Sequence, residues 1–503
     1  MEKEKKGGLL NASARDGVEY RKASIPEFVM AMAANGGGVV FYLMIGFATM
    51  VATQGFGIAT ITAGVILTAC RVWDGVTDPI IAAMYERMNP KHGKIRIFMV
   101  TGWAICSLGL LILYCIAAGR VDGVLGIVMF VFSYFVYDIG YTFYGVGSGT
   151  ISVAMTNDPT QRSMTNAVGT MYAYGIPILC TNLITFVVLP KYDNIYSLPM
   201  LSELTIWFIA MSFVLMVISC IGIRKADVPE TFEAIAEDGA KKEEKVTLKE
   251  MFAVLKDNRE MQMHIITGVS DKLAQQTAGQ SVISTLMNGV LIGSYVASTW
   301  VGNFTQIISI AFAFVGGVFV AKWGSKKTTV VWSWISIGIA VITVAFCLLL
   351  GGPNGMKQLG SFGIPIVIWA LLSLAKTASM MILSTTNGTR GADVTDYEYM
   401  RSGHYMPAVV SATYAFIDKA VSSLGTIMAT GCIALVGYVH TVPQMGDKAT
   451  WPIFWMAMFL NFGMQAIGWV CNLIAMKFYS LDKEKMIEVQ KTIMARKKET
   501  ENM

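Results

Sequence analysis

Mostly apolar stretches, each long enough to cross a bilayer, recur along this chain with short charged turns between them. A spanning helix needs about 20 such residues. Twelve stretches qualify, at roughly 28–53, 57–85, 95–118, 124–155, 164–189, 203–223, 261–288, 291–321, 328–350, 362–388, 404–437 and 451–478. Inside lipid the backbone N–H and C=O groups must be satisfied within the protein, which a helix does unaided. The expected fold class is therefore an all-α membrane protein with twelve transmembrane helices. Composition agrees: 54% of the residues are hydrophobic and only 15% are charged, against roughly 25% charged in soluble domains.

The basic residues set the orientation. With twelve spans, one set of loops holds only Arg120, Lys191, Lys357 and Lys448, while most other Lys and Arg fall in the opposite loops and the two tails. The positive-inside rule then places both termini in the cytoplasm of a multi-pass cell (inner) membrane protein. Residues 1–27 are charged and lack an apolar core, so no cleavable signal peptide is expected. The basic residues form no single stripe, which gives no reason to expect a nucleic-acid partner. The bilayer is the expected environment, and no obligate protein partner is evident. The eight cysteines lie in or beside apolar segments without a C-x-x-C pair, which fits small packing residues. His92, His264, His404 and His440 show no ligand spacing. No phosphate loop of the form G-x-x-x-x-G-K-[ST] occurs, which argues against ATP-driven transport by this chain. No nucleophile–base constellation suggests an enzyme, and no cofactor is expected.

A charged stretch divides the spans into six and six. The expected organisation is a cytoplasmic tail at 1–27, a bundle at 28–223, a linker at 224–260, a second bundle at 261–478 and a tail at 479–503. Thr247-Leu-Lys-Glu-Met-Phe-Ala-Val-Leu255 reads as a short amphipathic, interfacial helix at the end of the linker. Lys91-His92-Gly93-Lys94-Ile95-Arg96 follows the second stretch, and Lys322-Trp323-Gly324-Ser325-Lys326-Lys327 follows the eighth. Arg162-Ser163 opens the fifth as Arg401-Ser402 opens the eleventh. Such repeats occur in transporters built from two equivalent bundles. The layout resembles the major facilitator arrangement of two pseudo-symmetric six-helix bundles.

The second stretch carries Arg71-Val-Trp73-Asp74-Gly-Val-Thr77-Asp78-Pro79. Asp74 and Asp78 are four residues apart and share one helix face. A carboxylate at mid-bilayer costs at least about 2.5 kcal/mol, so an intramembrane acid is a functional candidate by default. The pair could offer hard oxygen ligands to sodium, joined by the Thr77 and Thr142 hydroxyls. It could instead share a proton, because neighbouring carboxylates oppose each other's ionisation. Asp78 could also simply pair with Arg71 or cap a break at Pro79, and Arg71 could be the counter-ion of Asp74. The expected coupling ion is sodium or a proton.

These residues, with the Gly93-Lys94-Ile95-Arg96 turn, resemble the second-helix signature of the glycoside–pentoside–hexuronide:cation symporters, the family of melibiose permease. Ala392-Asp393-Val-Thr-Asp396-Tyr397 and Arg401-Ser-Gly403 resemble the family's loop before helix eleven. The resemblance implies a cation site at Asp74, Asp78, Thr77 and Thr142, and a gating charge network of Arg162, Arg390, Asp393, Asp396 and Arg401 in cytoplasmic turns, with Arg71 charged within the second span. It implies a substrate region that includes Asn35, Gly145, Gly149 and Thr170. It also places a lysine at Lys419, which could hold an anionic substrate group, respond to an empty cation site or form a structural salt bridge. From the residues alone, Trp73 and Tyr414 could stack on a ring or simply pack. Gly145 stands where the family has an aspartate, Gly149 where it has an aromatic, and Thr170 where it has an arginine. The expected cargo is a small sugar-like molecule: a glycoside, pentoside or hexuronide, imported by alternating access at a site near the midplane. A bulkier non-sugar or conjugated solute is the alternative, and a transport-inactive sensor is the alternative from another class. Gly140, Gly145, Gly147 and Gly149 leave the fourth stretch unusually bare. This admits two explanations, close helix packing or room for a larger cargo. Asp138 lies two turns before Gly145, too far to replace a missing acid there. Asp271, Lys272, Gln275, Gln276 and Gln280 make the seventh stretch polar, Lys376 is a charge within the tenth, and Asp418 beside Lys419 is expected to be structural.

Overall fold

The structure is a computed structural model that describes residues 13–15, 18–20, 22–88, 90, 93–156, 158–232, 248–403 and 406–501. Eight of its helices are long and apolar enough to cross a membrane. One of these, Tyr295–Leu349, is two spans joined end to end, because Gly324 leaves the helical backbone at φ 81° and ψ 164°. Three further stretches of helix, Thr60–Arg87, Arg259–Ala278 continued by Ser281–Leu291, and Pro407–Leu435, are more polar. They carry Arg71, Asp74 and Asp78, then Asp271 and Lys272, then Asp418 and Lys419. The described residues thus form twelve spans, and each of these three carries acid residues within the helix.

In chain order the first six are Ile25–Phe56, Thr60–Arg87, Lys94–Ile116, Gly123–Met155, Pro159–Asn182 with its continuation to Tyr192, and Leu198–Ile223. The other six are Arg259–Leu291, the two parts of Tyr295–Leu349, Ile364–Ser402, Pro407–Leu435 and Trp451–Phe478. The chain divides into two compact units, residues 1–243 with 440–442, and residues 244–439 with 443–503. The packing inside them repeats. The first helix packs on the fifth and sixth as the seventh packs on the eleventh and twelfth, and the third lies along the fourth as the eighth–ninth run lies along the tenth. The amino-terminal core gathers Phe28, Phe98, Met99, Tyr144 and Ile223, and the carboxy-terminal core gathers Met261, Val394, Val410, Met476 and Tyr479.

Besides the short turns Gly352–Gly355 and Met356–Gly360, three features of the described residues lie outside the twelve spans. Ser13–Arg15 and Val18–Tyr20 pair as a small antiparallel ribbon in the amino-terminal tail. Leu248–Asp257 forms the expected amphipathic helix, with Val254 buried and Phe252 exposed. Lys483–Glu501 forms a carboxy-terminal helix that packs on the tenth.

One boundary differs from the sequence reading. The tenth helix does not end near residue 388 but runs to Ser402, where Gly403 caps it at φ 78°. At 1.5 Å per residue its 39 residues extend about 58 Å, well beyond a hydrocarbon core of about 30 Å. Asp393, Asp396 and Arg401 therefore stand on a continuous helix, not in a loop. Polarity here marks the exit from the membrane and not the end of the helix, since no proline or left-handed residue interrupts the run before Gly403.

Candidate functional site

The second helix is interrupted chemically but not geometrically at Pro79. Proline has no N–H, so the helix bond to the carbonyl four residues back is missing. Asp74 and Asp78 flank that point, both partly buried. Thr142 on the fourth helix donates its hydroxyl to Asp78 Oδ1 at 3.0 Å. Thr77 turns its hydroxyl onto its own helix, donating to the Asp74 carbonyl at 3.3 Å. The Asp78 carboxylate and the Thr142 hydroxyl thus meet across two neighbouring helices, while the Thr77 hydroxyl stays on its own helix backbone.

The surroundings add a residue that the spacing argument had set aside. Asp138 lies one turn before Thr142 and is 4% exposed. Buried Tyr134 feels Arg71, Asp138 and Asp74 together. Arg71 is hydrogen-bonded by Tyr134, with Tyr42 and Tyr137 also near its charge. No group of three His, Cys, Asp or Glu side chains placed to hold a metal ion occurs among the described residues. The four-residue spacing to Thr142 was the signal that could have found Asp138.

Glycines on the fourth helix serve two purposes on two faces. A Cβ on Gly140 would collide with the Cys106 backbone of the third helix, and one on Gly147 would lie 3.1 Å from the Ile95 carbonyl. Gly102 and Gly109 make reciprocal approaches from the third helix to the Tyr144 and Tyr137 backbones. Small residues let two helix backbones come this close. Gly145 and Gly149 differ: a Cβ on either meets nothing within 4 Å. They wall a cavity of about 630 Å³ that is also lined by Asn35, Tyr141, Ser148 and Thr170. Gly169 makes room for the Asn35 amide, which sits 2.5 Å from where its Cβ would be. Hydroxyls, an amide and tyrosines face this space, and among the described residues no charged side chain lines it.

Of the implied substrate residues, Asn35, Gly145, Gly149 and Thr170 come together there. Trp73 does not. It is 50% exposed and meets Phe135 edge-on at 6.3 Å. Tyr414 lines a different pocket, within the carboxy-terminal unit, together with Asp271, Gln275 and Asp418. Lys419, the next residue after Asp418, is not part of that lining.

Of the expected charge network, Asp393, Asp396 and Arg401 find their described partners within the carboxy-terminal unit. Asp393 accepts from Ser325 at 2.6 Å, Asp396 from Gln490 of the carboxy-terminal helix at 2.6 Å, and Arg401 pairs with Glu398 at 2.9 Å. Arg390 is 2% exposed and donates to Thr329, Asn387 and His264. The Arg162 side chain lies outside the described residues.

Two bundles of six helices with an acid pair and a polar cavity define a membrane transporter, and the comparisons agree. Residues 29–483 match the family described as MFS/sugar transport protein, and the chain belongs to it. It is 23% identical to the Bacillus subtilis (strain 168) protein named uncharacterized symporter YjmB, covering 83% of this chain and 85% of that one. It is 20% identical to the glucuronide carrier protein homolog of Escherichia coli (strain K12), over 88% and 89% of the two chains. It is 22% identical to a lactose permease of Lactobacillus helveticus, over 76% of this chain but 56% of that longer protein. These relatives agree with the resemblance to the glycoside–pentoside–hexuronide symporters. In fold it resembles the nucleoside transporter NupG, with a TM-score of 0.56 at 12% identity over 91% and 98% of the two chains. A peptide transporter in complex with alafosfalin shares the fold at a TM-score of 0.57, 13% identity, and 95% and 97% coverage.

Proposed function

We propose that the protein is a cation-coupled symporter of the cytoplasmic membrane, with both termini in the cytoplasm, that imports a glycoside-, pentoside- or hexuronide-type solute. The observation that carries this reading is the 3.0 Å bond from Thr142 to Asp78, made by the same helix that walls the glycine-lined cavity. One side of the fourth helix holds a candidate ion site and another holds space for a solute. Sodium would take oxygens from Asp74, Asp78, Thr77 and Thr142, with the Thr142 hydroxyl turning its lone pairs toward the ion. A proton would neutralise one carboxyl of the pair and leave Thr142 bonded to it. Either event changes the link between the second and fourth helices, so ion and solute can favour the same conformation. That coupling is reciprocal by thermodynamic necessity. The open faces at Gly145 and Gly149 favour a second reading, a solute carrying a bulky substituent.

Uptake into proteoliposomes under an imposed sodium or proton gradient tests the reading. Asp78→Asn should abolish concentrative uptake and leave solute binding. Unchanged accumulation by that variant rules out the ion site. Gly149→Trp should exclude bulky solutes by filling the cavity.

A further inference from the structure

The carboxy-terminal unit holds a second cavity, of about 180 Å³, between its seventh, tenth, eleventh and twelfth helices. This is well above the roughly 10–15 Å³ of probe volume that one water needs. Asp271, Gln275, Asn387, Tyr414, Asp418 and Gln465 line it, with Lys272 at its edge and Trp469 as an apolar wall.

Several of these groups are set up with bonding capacity to spare. Gln465 is 5% exposed, and its Oε1 is buried without a hydrogen-bond partner. A buried acceptor left without a donor is costly. The Tyr414 oxygen accepts from Asn387 Nδ2 at 3.0 Å, which leaves the tyrosine proton to be donated elsewhere. Asn387 is oriented in turn by Arg390, whose guanidinium donates to Asn387 Oδ1 at 2.7 Å. Both Asp271 oxygens share the Asn472 amide, at 3.1 and 3.0 Å, and keep further lone pairs. Acceptors, a free donor and amides that do both thus face one small space. A sugar hydroxyl is itself donor and acceptor, and neighbours of both kinds suit it.

We propose that this pocket holds the hydroxylated ring of the solute, and that the ring belongs to a neutral glycoside and not to a hexuronide. The inference rests on the glycoside reading given above. Two carboxylates and one ammonium line the space, while Arg390 behind them is engaged by neutral partners. A uronate would add a third negative charge where two already stand, a repulsion that a low-dielectric site strengthens.

The test is equilibrium binding to the purified full-length protein at saturating sodium and neutral pH. The probes are the 4-nitrophenyl β-D-glucopyranoside, galactopyranoside and xylopyranoside, and 4-nitrophenyl β-D-glucuronide. At least one neutral glycoside should bind more tightly than the glucuronide. Gln465→Ala and Asp418→Asn should each weaken that glycoside by about ten- to a hundredfold, with thermal unfolding still cooperative. Wild-type affinity in both variants, or tighter binding of the glucuronide, overturns the proposal while leaving the symporter reading in place. If no probe binds the wild-type protein, the glycoside reading falls and the proposal falls with it.

Discussion

Gly93 and Gly324 occupy matching turns of the two units, after the second and eighth helices, at φ 87° and 81° with extended ψ of 137° and 164°. Each turn is anchored by the segment that follows the last helix of its own unit. In the amino-terminal unit the anchor is Asp227, fully buried, accepting from the Ile95 and Arg96 backbone N–H groups at 3.0 and 2.8 Å and from Arg96 Nε at 3.1 Å. In the carboxy-terminal unit it is Lys483, exposed, donating to the Ala321 and Lys322 carbonyls at 3.1 Å each. An acid satisfies the start of the helix after the turn, and a base satisfies the end of the helix before it. Each sign suits the partial charge of the helix end that it meets. The repeat therefore conserves backbone geometry and position, but not the residue that does the anchoring.

The same contrast runs through the two cavities. The amino-terminal one is wide, uncharged and bordered by bare glycine faces, and the carboxy-terminal one is small and lined with charges and amides. Equivalent scaffolds have thus been furnished differently.

The comparison can be broken most directly at the anchors. Asp227→Ala should cost about 3–5 kcal/mol, because it leaves Arg96 and two helix-start N–H groups without their buried acceptor. Thermal unfolding in detergent should show this loss, and a shift no larger than that of Lys483→Ala would refute the ranking. The next effect concerns the two glycine faces. Gly140→Ala should destabilise by about 1–3 kcal/mol by forcing the third and fourth helices apart, while Gly145→Ala should leave stability unchanged or slightly raised, as an exposed helical glycine allows. Equal unfolding temperatures for the two variants would mean that the division of the glycines is wrong. The smallest effect is expected for Lys483→Ala, about 0.3–1 kcal/mol as for an exposed charge at a helix end. Added salt should shrink the difference between Lys483→Ala and the wild type, which unfolding at low and high ionic strength would measure.

Much of this was legible in the residues. Apolar length located the helices, and the acid pair stood out because charge at membrane depth has to be justified. The Gly93 and Gly324 turns were visible as a repeat, and the structure gives both the same left-handed backbone. Asn35, Gly145, Gly149 and Thr170, aligned by resemblance, do line one cavity. Trp73 and Lys419 do not join the pockets described here, because adjacent positions on a helix point about 100° apart and only the neighbouring helix shows which of them faces inward. Asp418 was set aside for the same reason, and Asp138 for its two-turn distance from Gly145.

The sequence by itself determined the number of spans, the place of Asp74 and Asp78, and the two turns where glycine is required. These depend on local length, hydropathy and backbone sterics, which a chain carries wherever it goes. Tertiary structure alone decided that Gly140 packs while Gly145 stands open, that the tenth helix carries its charges past the membrane, and that Asp271, Tyr414, Asp418 and Gln465 share a pocket. Those outcomes depend on which side chain lies across from which, and that is fixed by the packing of helices far apart in the chain.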